Sequence, residues 1–174
     1  MDFLTDYKIP VGRTAEDIFD WLQTHGGWFF DGLADVGSWL IEWLLWLLQE
    51  PNPLIIVVLA TALAYWLQRS WKVALFVALG FLFILNQGYW EETTESLTLV
   101  ISACLVCMAI GVPIGIATAH RPRLYAVLQP ILDLMQTLPT FVYLIPAIVF
   151  FGIGMVPGLL ATVIFVLPAP IRLT

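Results

Sequence analysis

An all-α integral membrane protein is the fold class this sequence predicts, and three observations predict it. Of 174 residues, 60% are hydrophobic and only 11% charged, with a mean hydropathy of +0.91, whereas soluble domains carry about 25% charged residues. Four uncharged runs, Pro51–Gln68, Val73–Trp90, Ser96–Ala119 and Leu134–Ile171, follow an acidic N-terminal region. The basic residues that punctuate these runs alternate with acidic ones in the way a multi-pass chain requires.

The runs measure 18, 18, 24 and 38 residues. A helical span needs about 20, so the last run holds two, cut by the turn signals Gly152, Gly154, Pro157 and Gly158. Five transmembrane helices result, at about 54–68, 73–89, 96–119, 135–151 and 158–172. Arg69, Lys72, Arg121, Arg123 and Arg172 fall on one side of them; Glu91, Glu92, Glu95 and the Gly152–Gly158 turn fall on the other. The positive-inside rule makes the basic side cytoplasmic.

An amphipathic N-terminal helical region precedes the spans. Residues 1–50 hold nine acids against Lys8 and Arg13, which suits an extracytoplasmic location. Residues 1–13 read as irregular. Thr14 starts a helix with Glu16 and Asp17 in its first turn, and Gly26-Gly27 breaks it. A second helix, 29–49, places Leu33, Val36, Leu40, Trp43, Leu44 and Leu47 on one face. Trp21, Trp28, Trp39, Trp43 and Trp46 are residues that favour the headgroup region, so this part is expected to lie on the membrane or along it. Pro51 and Pro53 end it.

The stretch from Asp133 to Pro146 is the most informative. It lies in a run apolar enough to cross a bilayer, yet carries two prolines, a glutamine and two threonines. Pro139 cannot donate to the carbonyl of Met135, nor Pro146 to that of Val142. At membrane depth a freed carbonyl must find protein, water or a polar side chain. If the segment is helical, Gln136, Pro139, Thr140, Tyr143 and Ala147 share one face, and a polar stripe on an apolar helix marks a pathway or a helix contact. Before it, Leu124, Val127, Leu128, Ile131 and Leu132 describe an amphipathic interfacial helix, interrupted or kinked at Pro130. Asp133 is expected to pair with Arg121 or Arg123. In the third span, Gly111, Pro113 and Gly115 allow close helix approach or a hinge.

Cys104 and Cys107 form a CxxC without a second ligand pair, and His25 and His120 are isolated, so no metal site is predicted. No Walker A loop, nucleophile elbow or paired intramembrane carboxylate is present. The predicted catalytic, cofactor and metal assignments are therefore none, and nothing basic enough for nucleic acid appears.

Three strings resemble the permease subunit of glycine betaine/proline betaine/choline-type ABC importers, in the binding-protein-dependent (type I) family. They are Trp90-Glu-Glu-Thr-Thr-Glu-Ser-Leu, Gly111-Val-Pro-Ile-Gly-Ile, and Leu128-Gln-Pro-Ile-Leu-Asp-Leu-Met-Gln-Thr-Leu-Pro-Thr-Phe-Val-Tyr-Leu-Ile-Pro. The likeness continues through Phe151-Gly-Ile-Gly and from Pro157 to Thr174, covering residues 90–174 closely and 51–89 in general character. It implies three zones: an acidic, Trp-rich region (1–50), two accessory transmembrane helices (51–90), and the N-terminal part of a type I transmembrane domain (91–174) that stops before the ATPase-coupling loop. The chain is on this reading an N-terminal fragment.

The resemblance further implies osmolyte import across a bacterial inner membrane, a cytoplasmic ABC ATPase subunit, an extracytoplasmic substrate-binding protein, a second permease copy and surrounding lipid. Quaternary ammonium groups are held by aromatic faces, so the expected translocation path comprises Gln136, Thr137, Pro139, Thr140, Phe141, Tyr143 and Pro146. Two alternatives remain open: a permease for another small solute, such as an amino acid or a taurine-like sulfonate, and a non-transport membrane scaffold.

Overall fold

The computed structural model describes residues 11–174, with side chains from Asp20 onward apart from Gln23. Eight helices and no strands make up the described residues: α1 (Val11–Gln49), α2 (Pro53–Gln68), α3 (Trp71–Gln87), α4 (Trp90–Ala119), α5 (Pro122–Thr137), α6 (Phe141–Phe151), α7 (Met155–Val166) and α8 (Pro168–Leu173). Of the irregular segment expected over residues 1–13, residues 1–10 lie outside the described residues and residues 11–13 belong to α1.

Local chemistry accounts for several helix ends. Asn52 Oδ1 accepts from the Leu54 N–H at 3.0 Å, and Pro53 occupies the first helical position of α2, where its missing N–H has no intrahelical partner to lose. α3 stops at Gly88, whose φ of 78° suits a residue without Cβ. Tyr89 N–H then reaches Ile84 O at 3.2 Å and Gly88 N–H reaches Leu85 O at 3.1 Å, the paired bonds that satisfy a helix C-terminus.

Three expectations are corrected. Gly26-Gly27 does not break α1, which begins at Val11 rather than at Thr14 and runs unbroken to Gln49; the intrinsic cost of two helical glycines, about 1 kcal/mol each, is outweighed by the contacts of the remaining turns. The packed face of α1 runs through Gly37, Ile41, Leu44 and Leu48, while Leu33, Val36, Trp43 and Leu47 stay exposed. Pro130 does not interrupt α5, which continues through it. The fourth predicted span, 135–151, is not one helix: α5 and α6 meet at 91° across residues 138–140.

Among the described residues, two helical stretches are individually long and apolar enough to cross a membrane, α4 with 30 residues and α7–α8 (Met155–Leu173) with 19; counting each of the bent pairs α1–α2 and α5–α6 as one span brings the number to four. α2 and α3 have 16 and 17 residues, about 25 Å each at 1.5 Å per residue. They form a hairpin through Arg69 and Ser70, and α1 turns into α2 through 97°.

The centre of the structure is α4. Its buried residues are Thr94, Thr98, Ser102, Ala103, Cys107, Gly111, Gly115 and Thr118, all small. Ala103 and Cys107 meet Ile41 of α1 and Leu159 and Val163 of α7 in one apolar cluster. Further along, α8 closes on the glycines. A Cβ on Gly111 would stand 2.6 Å from Pro170 Cγ, and one on Gly115 would stand 2.7 Å from Thr174 Cβ and 2.9 Å from the backbone oxygen of Ile171.

Gly115→Ala must therefore push α8 away from α4, because a backbone oxygen cannot rotate aside. We expect a destabilisation of about 1–3 kcal/mol, read as a lowered midpoint in thermal unfolding of the detergent-solubilised protein. Gly80→Ala, where a Cβ meets nothing within 4 Å, serves as the control and should leave the midpoint level or raised.

Candidate functional site

The break between α5 and α6 is where the backbone needs help. Leu138, with ψ 136°, has the extended conformation that a following proline favours. Its N–H still closes the last turn of α5 on Leu134 O at 3.2 Å. Pro139 has no N–H to follow it, so the Met135 carbonyl is left over. The Tyr143 hydroxyl, from the first turn of α6, fills the gap by donating to Met135 O at 3.1 Å, and it also lies 3.4 Å from Leu134 O. Thr137 Oγ1 donates to Leu134 O at 3.1 Å. On the far side, Val142 N–H reaches Pro139 O at 2.9 Å, and the N–H groups of Tyr143 and Leu144 both reach Thr140 O at 3.1 Å. The elbow is thus a hydrogen-bonded structure in its own right.

α5 is held from another direction as well. The Arg172 guanidinium of α8 pairs with the Asp133 carboxylate. Asp133 therefore finds neither Arg121 nor Arg123, its expected partners; the path of α7 and α8 returns a cation from 39 residues along the chain. Beside this pair lies a cavity of about 320 Å3, lined by Gly115, Thr118, Pro122, Tyr125, Ile171 and Arg172 among others. It brings the Arg121/Arg123 turn and the Arg172 end of α8 to the same end of the molecule.

The bend redistributes the predicted path residues. Gln136 and Thr137 end α5, and Pro139 and Thr140 form the elbow; all four are exposed. Phe141 points outward, 69% exposed. Only Tyr143 and Pro146 are half-buried, and they line a second cavity, of about 260 Å3, together with Phe30, Phe150, Leu160 and Ile164. The single face expected of a straight helix is therefore split between an outer group and an inner one. Gly111 and Gly115 lie against α8, as described; Pro113 stays within α4.

Sequence reasoning did not find Phe30. Its ring stacks on Phe150 with centroids 4.4 Å apart and planes 15° from parallel, and meets Phe151 edge-on at 5.8 Å. The doublets Phe29-Phe30 and Phe150-Phe151 were the available signal, but pairing across 120 residues is not legible in one sequence. Gln49 was likewise missed: its amide donates to Thr94 Oγ1 at 2.8 Å, a polar tie between α1 and α4. Cys107 faces α7 and lies 3.6 Å from Val163 O, while Cys104 is exposed.

Apolar helices around a small-residue face, with one predicted span broken and its freed Met135 carbonyl taken up by the Tyr143 hydroxyl, define a polytopic helical membrane protein. Known proteins specify it further. The chain is 39% identical over 167 residues to the glycine betaine transport system permease protein OpuAB of Bacillus subtilis (strain 168), an alignment covering 96% of this chain and 59% of that relative. It is 37% identical over 169 residues to the glycine betaine/carnitine transport permease protein GbuB of Listeria monocytogenes serotype 1/2a (strain 10403S), covering 95% and 60%. It is also 37% identical over 167 residues to the glycine betaine/proline betaine transport system permease protein ProW of Escherichia coli (strain K12), covering 95% and 47%. The chain is thus similar to these transport permease proteins along nearly all of its own length, in keeping with the resemblance carried by the 128–146 string. It spans between about half and three fifths of the length of these relatives. No family model matches the chain.

The Asp133–Arg172 pair gives a test of the site's environment. The two side chains are 52% and 31% exposed, and ion pairs of that kind contribute about 0–1 kcal/mol. Asp133→Asn should therefore lower stability by no more than about 1 kcal/mol, with the loss shrinking as salt is raised. A salt-independent loss of several kcal/mol in the same unfolding assay would mean that the pair is desolvated.

Proposed function

We propose that this chain forms the membrane-embedded part of a permease in an ATP-driven importer of glycine betaine and related quaternary amines such as proline betaine or choline. The observation that carries the proposal is the 37–39% identity, over at least 95% of the chain, to permease proteins of glycine betaine transport systems. In this reading the chain hydrolyses nothing itself. A cytoplasmic ABC ATPase subunit supplies the energy, an extracytoplasmic binding protein delivers the solute, and a second permease copy completes the pathway.

The zones proposed from the sequence are kept: 1–50 as an extracytoplasmic or interfacial region, 51–90 as accessory helices, 91–174 as part of the transport core. Two features support this arrangement in a bacterial inner membrane. The exposed tryptophans at 21, 28, 39, 43 and 46 suit the headgroup layer. The clustering of the Arg121/Arg123 turn with Arg172 supports a common cytoplasmic side. The path is proposed to follow the α5–α6 break, with Gln136, Thr137, Pro139, Thr140 and Phe141 on its outer part and Tyr143 and Pro146 further in.

Uptake of radiolabelled glycine betaine tests the reading. The host lacks its own osmolyte importers and expresses the complete protein with its ATPase and binding protein; unlabelled choline is the competitor. We expect ATPase-dependent uptake in hyperosmotic medium, reduced severalfold by Gln136→Ala at an unchanged membrane level. If no quaternary amine is taken up while the complex assembles, the cargo assignment is wrong.

A further inference from the structure

The hydroxyl of Tyr143 makes a bond that exists in only one shape of the chain. Were residues 122–151 a straight helix, Tyr143 would stand eight residues beyond Met135, about 12 Å along the axis at 1.5 Å per residue. One side chain does not reach across that distance. The right angle between α5 and α6 folds the first turn of α6 back over the end of α5 and brings the hydroxyl to 3.1 Å from Met135 O. Straightening therefore breaks this bond, and because residue 139 is proline, no backbone N–H takes its place.

We propose that the Tyr143 hydroxyl is a clasp that holds the α5–α6 elbow bent and lets go when the segment straightens, which makes Tyr143 a positioning residue for transport. Its surroundings suit that role. α5 is anchored to α8 through Asp133 and Arg172, whereas α6 packs on α7 and, through Phe150 and Phe151, on Phe30 of α1. A change at the elbow thus moves α6 and the cavity that Tyr143 and Pro146 line relative to a fixed α5. The bond is also the kind that matters in lipid. An unpaired carbonyl at membrane depth is costly, so making or losing one donor shifts the balance between the two shapes by about threefold to fifteenfold.

The test uses the complete protein in its transport complex, reconstituted in lipid nanodiscs, with Cys104→Ser and Cys107→Ala. Spin labels replace Val127 on α5 and Ile145 on α6, both exposed, and pulsed electron resonance reads their separation. The backbone positions lie about 20 Å apart along a right-angled path and about 27 Å apart along a straight helix. Tyr143→Phe removes only the donor, and Pro139→Ala supplies a backbone donor that only a straight helix can use. Each should add a long-distance population and lower the maximal uptake rate severalfold, with KM changed less than twofold. Should Tyr143→Phe fail to assemble, Pro139→Ala carries the same distance measurement alone.

Distance distributions in the variants that superimpose on the parent overturn the proposal. So does a raised KM at an unchanged maximal rate, the signature of a side chain that touches cargo. The kinetic arm rests on the transport reading of the preceding subsection, but the distance arm uses no solute. Failure of the clasp and failure of the cargo assignment are therefore told apart.

Discussion

Inside a bilayer, two apolar helices gain nothing by leaving lipid for one another, because acyl chains are as apolar as leucine; they associate by fitting closely and by sharing polar contacts. α4 is built for this. One side carries Thr94, Thr98, Ser102, Ala103, Cys107, Gly111, Gly115 and Thr118, and the other carries Val100, Leu105, Met108, Ile110 and Ile116, all exposed. The helix is amphipathic in volume rather than in polarity. α1, α7 and α8 approach along its small side, and without that side their backbones could not come near enough for dispersion forces to hold them. Polar ties reinforce the two ends: Gln49 with Thr94 at one, Arg172 with Asp133 next to the other.

A second constraint operates where α5 meets α6. The backbone must satisfy its own hydrogen bonds, and the chain there cannot do so by helix alone. Thr137 and Tyr143 donate to the end of α5, and N–H groups return to Pro139 O and Thr140 O at the start of α6. The two constraints are linked through α8, which fits against Gly111 and Gly115 on one side and fixes Asp133 of α5 on the other. Loosening α8 from α4 would release the anchored half of the elbow as well.

These two constraints were unequally legible in the sequence. The helices and their order follow from run length, and the vacant donor at Pro139 follows from covalent structure. The identity of the donor did not, because Gln136, Thr137, Thr140 and Tyr143 were all polar candidates and only three-dimensional reach selects Tyr143. The right angle was hidden for a related reason: positions 136, 139, 140, 143 and 147 fit a helical face whether or not the helix continues. Asp133 was assigned to arginines close in sequence, whereas α7 and α8 bring Arg172 across 39 residues. The apolar face read from the sequence of α1 left open what it packs against, because apolar side chains mark a face equally well for lipid or protein. What distinguishes the protein-facing side is Gly37, where a Cβ would already touch Val156 Cγ1 at 3.4 Å.

Proline placement shows why the break falls at residue 139 and not elsewhere. Pro53, Pro122, Pro157 and Pro168 lie in the first turns of α2, α5, α7 and α8, where an N–H has no intrahelical acceptor and its absence costs little. Pro113, Pro130 and Pro146 lie inside helices that continue through them. For each of these three, ending the helix would free further carbonyls beyond the one that proline already frees. At Pro139 a side chain supplies the missing donor: the Tyr143 hydroxyl, four residues further on, donates to the Met135 carbonyl that the proline frees, while Thr137 adds a bond to Leu134 O, which the Leu138 N–H already reaches. A break at a proline within a membrane helix is thus favoured where a nearby side chain satisfies the acceptor that the proline frees.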